Sequence, residues 1–520
     1  HDFIPKSSSS YDDISMKILK HIKTAIIPSI TIIINQSLST GIFPEKLKIA
    51  KVIPLHKKKM DDKILDNYRP ISLLPTISKI FEKVAYKQLY QYFSSNKLFY
   101  KSQFGFREQH STELACLEFI DKVMQDLDKG NTPVAVFLDL SKAFDTLDHL
   151  VLLSKLEHYG VTNVPLNWFR SYLSNRKQFV EFEGQHSSKS SLTTGVPQGS
   201  ILGPLLFIIY MNDIANVTQL FDPTLYADDT TLAGSLCTLD TTNLNLSVRE
   251  LNLELDNIAD WLAVNKLSLN FSKTRCMIFH FYQRRLDFAV IPTLIMKNVP
   301  IIRVENFDFL GLTINETLQW TAHLSKISSK ILKVTGIMNR LKSYLPISNL
   351  KLIYNSLILP HLNYCNLLWG KHSAKIQKVQ KRAVRVVTKS KYNAHTEPLF
   401  KIMQFLKLED IFNISCLKFY FKFQNSMLPE PFLDFYPTNA SIHDHYTRQS
   451  NNPHLIPCHT TAALNSPRHY IPSLIAHIPP LIQEKFHTHS YAGFSNYIRR
   501  HYINNYREDC SIMNCYICSQ

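Results

Sequence analysis

Glycine is scarce in this chain, at 13 of 520 residues, and acidic residues are outnumbered. There are 42 Asp and Glu against 58 Lys and Arg, a formal charge of +16. A field of that sign attracts polyanions and speeds their association. The nine cysteines are scattered without paired spacing over most of the length, which argues against a disulfide-stapled scaffold and predicts reduced thiols in an intracellular compartment. The longest apolar runs, at residues 26–34 and 205–211, fall well short of the roughly 20 residues a bilayer-spanning helix needs. No secretory signal opens the sequence, so a soluble chain with no membrane partner is expected. Internal repeats and long low-complexity segments are also lacking, which excludes repeat arrays. The length allows two or more domains with substantial cores.

Apolar spacing predicts helices through residues 1–50, broken at Pro28 and at 41–44, and a strand at 52–55. Lys57, Lys58 and Lys59 follow in a loop, where three ammonium groups are most simply solvated. Helices are predicted at 77–93, 112–127, 142–158, 164–174 and 200–215, and a further amphipathic helix at 244–265. Strands are predicted at 133–139, 178–183, 223–227 and 230–233, with later ones at 274–279 and 309–314.

Two features carry chemistry. Asp139 ends the apolar run Val134-Ala-Val-Phe-Leu138, and Asp228 and Asp229 sit in the turn Tyr226-Ala-Asp-Asp. A carboxylate at the end of a buried strand and a pair at a hairpin tip can converge on two Mg²⁺ ions, the clamp for in-line attack on a nucleoside triphosphate. That combination points to a nucleic-acid polymerase. Alone, Asp-Asp is most often a solvated turn, and Asp139 could cap a helix starting near Ser141.

Neither stands alone. The segments Phe137-Leu-Asp-Leu-Ser-Lys-Ala-Phe-Asp145, Gly195-Val-Pro-Gln-Gly-Ser-Ile-Leu-Gly-Pro204, the Asp228 turn, Asn265-Lys-Leu-Ser-Leu-Asn-Phe-Ser-Lys273 and Phe309-Leu-Gly-Leu312 follow one another in order. Upstream lie Asn67-Tyr-Arg-Pro-Ile-Ser-Leu-Leu74 and Gln103-Phe-Gly-Phe-Arg107. In these motifs, over roughly residues 5–390, the chain resembles the reverse transcriptases of non-LTR retrotransposons of the LINE or jockey type. The resemblance implies an α+β right-hand polymerase with fingers, an antiparallel-sheet palm and a helical thumb. Its implied divisions are a helical N-terminal extension over 1–50, fingers and palm over 51–315, thumb and connection over 316–425, and a tail of unknown role over 426–520. It implies an RNA-directed DNA polymerase acting in cytoplasm and nucleus. The partners would be template RNA, primer DNA and deoxynucleoside triphosphates, and the cofactor two Mg²⁺ ions, with Mn²⁺ as a substitute. Such elements normally carry an upstream endonuclease, and nothing here could be one, so the chain reads as a fragment or decayed copy.

The resemblance also implies roles. Asp139 and Asp228 would be ligands shared by both metals, with Asp229 assisting. Lys273 would protonate the departing pyrophosphate as general acid. Phe144 would lie beneath the incoming sugar and exclude a ribose 2′-hydroxyl, Gln198 would touch the nascent base pair, and Gly199 would permit close backbone approach. Arg107 would grip the triphosphate, with Arg69 as a second candidate. Without the resemblance, Phe144 reads as core, Gln198 as part of a loop-to-helix turn and Arg107 as half of an ion pair.

Lys371, Lys375, Lys378, Arg382, Arg385 and Lys389 recur at helical spacing, with no acidic residue up to Lys391. They would share one face, suited either to nucleic-acid phosphates or to simple solvation. In the tail, Cys510, Cys515 and Cys518 have zinc-like spacing, with His487, His489 or His501 available as a fourth ligand. No acidic strand pattern there suggests an RNase H domain. An inactive RNA-binding relic with the same fold is the alternative function. An RNA-templated RNA polymerase is disfavoured by Phe144.

Overall fold

A computed structural model describes Ile4 and residues 8–57, 60–237, 241–283, 286–442 and 453–508. Lys58, Lys59 and the tail cysteines of zinc-like spacing, Cys510, Cys515 and Cys518, lie outside the described residues.

The molecule is organised around the strand Thr132–Leu138, buried along its whole length. It pairs antiparallel with Asp229–Leu236 on one side and with Arg275–Ile278 on the other. Asp222–Tyr226 closes one edge antiparallel, and the short strand Ile302–Arg303 closes the other in parallel. This is the expected palm sheet, with one parallel pair at its rim rather than purely antiparallel. Successive side chains of a strand point to opposite faces, and here each face meets its own core. Ala135 and Phe137 join one cluster, with the helix Thr112–Asp128, the helices from Thr321–Leu341 to Leu408–Gln424 and the C-terminal helices. Val134, Val136 and Leu138 join the other, with the helices of residues 76–95, 143–173, 203–210 and 241–264.

The strand predicted at 178–183 belongs to a different sheet. Arg176–Phe182 pairs in parallel with Ile49–His56, which pairs antiparallel with Tyr68–Leu73. Only pairing partners distant in sequence decide between the two sheets, so periodicity alone could not. Within this finger sheet Pro54 faces Pro70, a position where neither residue needs an N–H in the ladder.

Several boundaries also move. Pro28 lies inside the helix Lys23–Thr40, and the break falls at Ile22 instead. The helix gives up the hydrogen bond that Pro28 cannot donate and ends as predicted at Gly41, in the left-handed region at φ 70°. The helix predicted at 142–158 divides into Ala143–Thr146 and His149–His158, because the Asp148 carboxylate accepts the N–H groups of Leu150 and Val151 and starts a new helix. The helix predicted at 200–215 shortens to Gly203–Tyr210, followed by a 3₁₀ turn over Ile214–Val217. The strand predicted at 309–314 is a hairpin, Asn306–Phe309 with Leu312–Asn315, turned at Leu310 and Gly311, whose φ angles are 46° and 87°.

After this hairpin come the helices Thr321–Leu341 and Ile347–Leu357, then a helical array ending at Asn504. The division expected at 425/426 does not divide the core. Helix Leu408–Gln424 packs on Pro467–His477 and Tyr491–Asn504 in one cluster. The tail is also tied to the palm. Arg468 donates to both carboxylate oxygens of buried Asp121, and the Asp128 carboxylate accepts from His459 N–H and the Thr460 hydroxyl. No helix among the described residues is long and apolar enough to cross a membrane.

Removing one partner of a buried ion pair leaves an uncompensated charge, at a cost of about 3–5 kcal/mol. An exposed pair contributes about 1 kcal/mol or less. Arg468→Ala is therefore expected to lower the urea midpoint of the chain by several times the shift produced by Lys297→Ala, which breaks the exposed pair with Asp260. Equal shifts would mean that the tail is not fastened at Asp121.

Candidate active site

Asp139 follows directly on the buried strand, so its position is set by the palm core. The motif at 265–273 is brought to it by pairing: Ser141 N–H donates to Ser268 O, Asn270 N–H donates to Asp139 O at 2.8 Å, and Leu140 bridges Leu269. That pairing sets the Lys273 ammonium 3.7 Å from the Asp139 carboxylate.

Asp228 lies in the two-residue turn between Asp222–Tyr226 and Asp229–Leu236, after Ala227 at φ 59°. A left-handed alanine costs about 1–2 kcal/mol, and neighbouring structure holds it there. Gln103 supplies the support, its Oε1 accepting the N–H groups of Ala227 at 3.2 Å and Gly105 at 2.8 Å. The backbone of Ser102 and Phe104 bonds to Leu225 on both sides of a parallel bridge. A Cβ on Gly105 would stand 2.3 Å from the Ala227 nitrogen, so only glycine fits against the turn. The segment 103–107 therefore acts chiefly as a brace behind the hairpin. Its Arg107 does not line the cleft. The guanidinium is half-buried, donates to the Tyr100 and Gln103 carbonyls and lies 5.0 Å from the Phe99 ring centre.

The loop 195–204 is pinned just as closely. Ser72 N–H donates to Gln198 O at 2.7 Å, and a Cβ on Gly199, at φ 129°, would meet Ser72 O at 2.4 Å. The Gln198 amide donates to both oxygens of Asp145, at 3.0 and 3.1 Å. Beneath the loop, the fully buried Glu82 accepts Ile201 N–H at 2.6 Å. Sequence reasoning missed Glu82, yet an acid on the core face of an apolar helix, among Phe81, Ala85 and Leu89, is a readable sign of a buried partner. It also missed the ion pair of Asp66 with Lys142, at 2.9 Å beside the cleft. The Phe144 ring stacks on Phe207 with centres 4.5 Å apart and meets Phe106 edge-on.

One cleft of about 1370 Å³ gathers Arg69, Asp139, Phe144, Gln198, Asp228 and Lys273 over the Gly199 backbone. Asp229 and the basic helix lie outside its lining. Burial raises the pKa of Asp228, and the charge of Asp139 adds to it. Asp229 is exposed at the start of its strand, and partial loss of water around its carboxyl, then the charges of Asp228 and Asp139, raise its pKa to about 6.

These carboxylates suit a dication in charge and in hard oxygen chemistry. Among the described residues no group of three His, Cys, Asp or Glu side chains could hold a metal ion alone. Mg²⁺, however, is usually held by one or two carboxylates completed by water and substrate phosphates, and Asp139 and Asp228 on the cleft wall fit that pattern.

The basic run at 371–389 is less uniform than its spacing implied. The helix spans Ala374–Val387, so Lys371 and Lys389 lie outside it. Lys371 sits 4.4 Å from the Tyr470 ring centre, and Arg385 donates to Ala394 O. Lys375, Lys378 and Arg382 remain at the surface on it, opposite the buried Ile376, Gln380 and Ala383. Of the candidate zinc-site histidines, His489 and His501 both lie against the Tyr497 ring.

The family described as "Reverse transcriptase (RNA-dependent DNA polymerase)" matches residues 55–314. The chain is 27% identical over 428 residues to the "Probable RNA-directed DNA polymerase from transposon BS" of Drosophila melanogaster, covering 78% of this chain and 45% of that one. It is 27% identical over 397 residues to the "RNA-directed DNA polymerase from mobile element jockey" of the same species, covering 73% and 42%. It thus spans a little under half the length of these curated relatives. A telomerase from Candida albicans, solved with a fragment of telomeric RNA, aligns with 77% of this chain and 68% of its own at 12% identity and a TM-score of 0.36.

The raised pKa of Asp229 has a definite sign. Its folded state binds a proton more tightly than the unfolded state, so its ionisation removes stability as pH rises from the ordinary 3.8 to about 6. In EDTA, Asp229→Asn should raise the melting temperature above pH 6, with a gain that shrinks towards pH 4. A gain independent of pH would exclude charge repulsion as its cause.

Proposed function

Since the chain belongs to the reverse transcriptase (RNA-dependent DNA polymerase) family, we propose that it extends a DNA 3′ end on an RNA template, as the polymerase of a jockey-type non-LTR retrotransposon. The observation that carries this reading is the shared cleft in which Asp139, Asp228 and Lys273 stand with Phe144, Gln198 and Arg69. In this reading residues 51–315 are fingers and palm, 316–425 are thumb and connection, and the enzyme works in cytoplasm and nucleus.

The primer's 3′-hydroxyl attacks the α-phosphorus of a deoxynucleoside triphosphate, and pyrophosphate leaves. Asp139 and Asp228 would hold two Mg²⁺ ions, or Mn²⁺ in their place, with Asp229 assisting from the hairpin. When bound, these ions lower the pKa of the attacking hydroxyl and offset charge on the phosphates. Arg69 offers a planar fork to the triphosphate oxygens. Lys273 holds a proton for the departing pyrophosphate, and its ion pair with Asp139 keeps it beside the reacting groups. Phe144, backed by Phe207, presents a ring that a ribose 2′-hydroxyl would strike. Gln198, held by Asp145, is poised at the nascent base pair.

Asp228→Asn should reduce DNA synthesis on a primed RNA template by at least about 10²- to 10³-fold, the scale of losing one preorganised electrostatic group. Binding to the primed template should be nearly unchanged, since the basic surface is intact. A parallel loss of both would point to misfolding. Phe144→Ala should admit ribonucleotides, and unchanged sugar discrimination would remove the gate.

The surface cations Lys375, Lys378 and Arg382 are proposed to follow template and primer phosphates. Each side chain that no longer neutralises a phosphate should lower the slope of log affinity against log salt by about 0.7–0.9. Replacing Lys378 and Arg382 with Gln should therefore weaken binding alike for all sequences and flatten that slope. Parental affinity and slope would assign this face to solvent.

A further inference from the structure

A second cavity, of about 330 Å³, lies outside the catalytic cleft. Its walls come from the start of the helix Thr112–Asp128, residues 359–368, the helix Leu408–Gln424 and the helix Tyr491–Asn504. Three cationic side chains line it: Lys418 and Lys422, one turn apart on one helix, and Arg499 from another. The one acid in the lining is Glu113, whose Oε1 is already engaged by Cys365 N–H at 2.9 Å.

The cations are poorly compensated. Lys422 lies 5.1 Å from the Tyr491 ring centre, and Arg499 donates one N–H to Gln404 O. Lys418 is half-buried and has neither an ion pair nor a hydrogen-bond partner among the described residues. Burial, then Arg499 and Lys422, depress its pKa, and burial depresses that of Lys422. Like charges one turn apart destabilise a helix, and a single carboxylate, Glu113, whose charge acts on Lys422, is left to offset three partly buried cations. Packing alone gains nothing from this arrangement. The N-terminal turn of the helix Thr112–Asp128, with Ser111 as its cap, forms part of the same wall and adds the positive end of its dipole.

We propose that this cavity binds a phosphate-bearing ligand, with Lys418, Lys422 and Arg499 contacting its oxygens. An arginine fork beside two ammonium groups suits phosphate. The volume exceeds that of orthophosphate and falls in the range of small-ligand pockets, about 300–1000 Å³. The phosphate could belong to a free small molecule or to the end of a nucleic-acid strand. None of these residues lines the catalytic cleft, so the site stands apart from the polymerase reading.

The test is a thermal-shift titration of the whole chain with sodium pyrophosphate in EDTA, which removes metal-dependent binding at the carboxylates. A saturable rise in melting temperature is expected. Its midpoint should move at least tenfold higher in Lys418→Gln/Lys422→Gln and stay put in Arg69→Gln/Lys273→Gln, which removes the cations of the catalytic cleft. The ligand-free double variant should melt no lower than the parent, which separates a lost site from a lost fold. In a second arm, a 5′-phosphorylated oligonucleotide competes against its 5′-hydroxyl counterpart. A preference for the phosphorylated strand that the double variant abolishes assigns the site to strand ends, and pyrophosphate binding without it assigns a free ligand. Identical pyrophosphate titrations in parent and double variant, or no saturable response up to about 10 mM, would overturn the proposal.

Discussion

The two cores of this molecule meet at one strand buried on both faces. Because side chains alternate along Thr132–Leu138, Val134, Val136 and Leu138 join a helical layer on one side, while Ala135 and Phe137 join the helices after residue 320 on the other. Asp139, the first residue beyond it, is thereby positioned by two cores at once. A carboxylate that must hold its geometry to a fraction of an ångström benefits from such support, and a loop alone would not supply it.

Around that strand, close backbone approaches do the positioning, which explains where the few glycines matter. Gly105 lies against Ala227, and Gly199 lies against Ser72, each at a distance that excludes a Cβ. Both approaches join segments far apart in sequence, finger to palm hairpin and palm loop to finger strand. Gln103 and Glu82 complete them by accepting backbone N–H groups that would otherwise be stranded. The polar groups of the cleft thus rest on hydrogen bonds to Gln103 and Glu82, which lie outside its lining.

The tail has a share in this arrangement. Phe432 meets Phe104 edge-on, and Arg468 reaches Asp121 on the helix behind the palm. Through Phe104, whose N–H bonds to Leu225 O, the C-terminal region lies one residue layer from the Asp228 hairpin. Residues 453–508 are joined to the helix Thr112–Asp128 by Arg468 at Asp121 and by His459 and Thr460 at Asp128.

Much of the site was legible in the sequence because its residues lie in short local patterns. The apolar run before Asp139 predicted a buried strand, the Asp228 turn had predicted strands on both sides, and ordered motifs linked both to Phe144, Gln198 and Lys273. The sequence by itself therefore determined which side chains the cleft gathers and the elements that carry them. Tertiary structure alone decided what depends on distant partners. It put Arg176–Phe182 in the finger sheet, because period-two patterning does not specify a neighbour. It turned Arg107 away from the cleft and tied it to the Tyr100 carbonyl, a choice between phosphate and backbone acceptors that an arginine's identity leaves open. It also joined thumb and tail in one core, because apolar helix faces record that they must be covered, not by which helix.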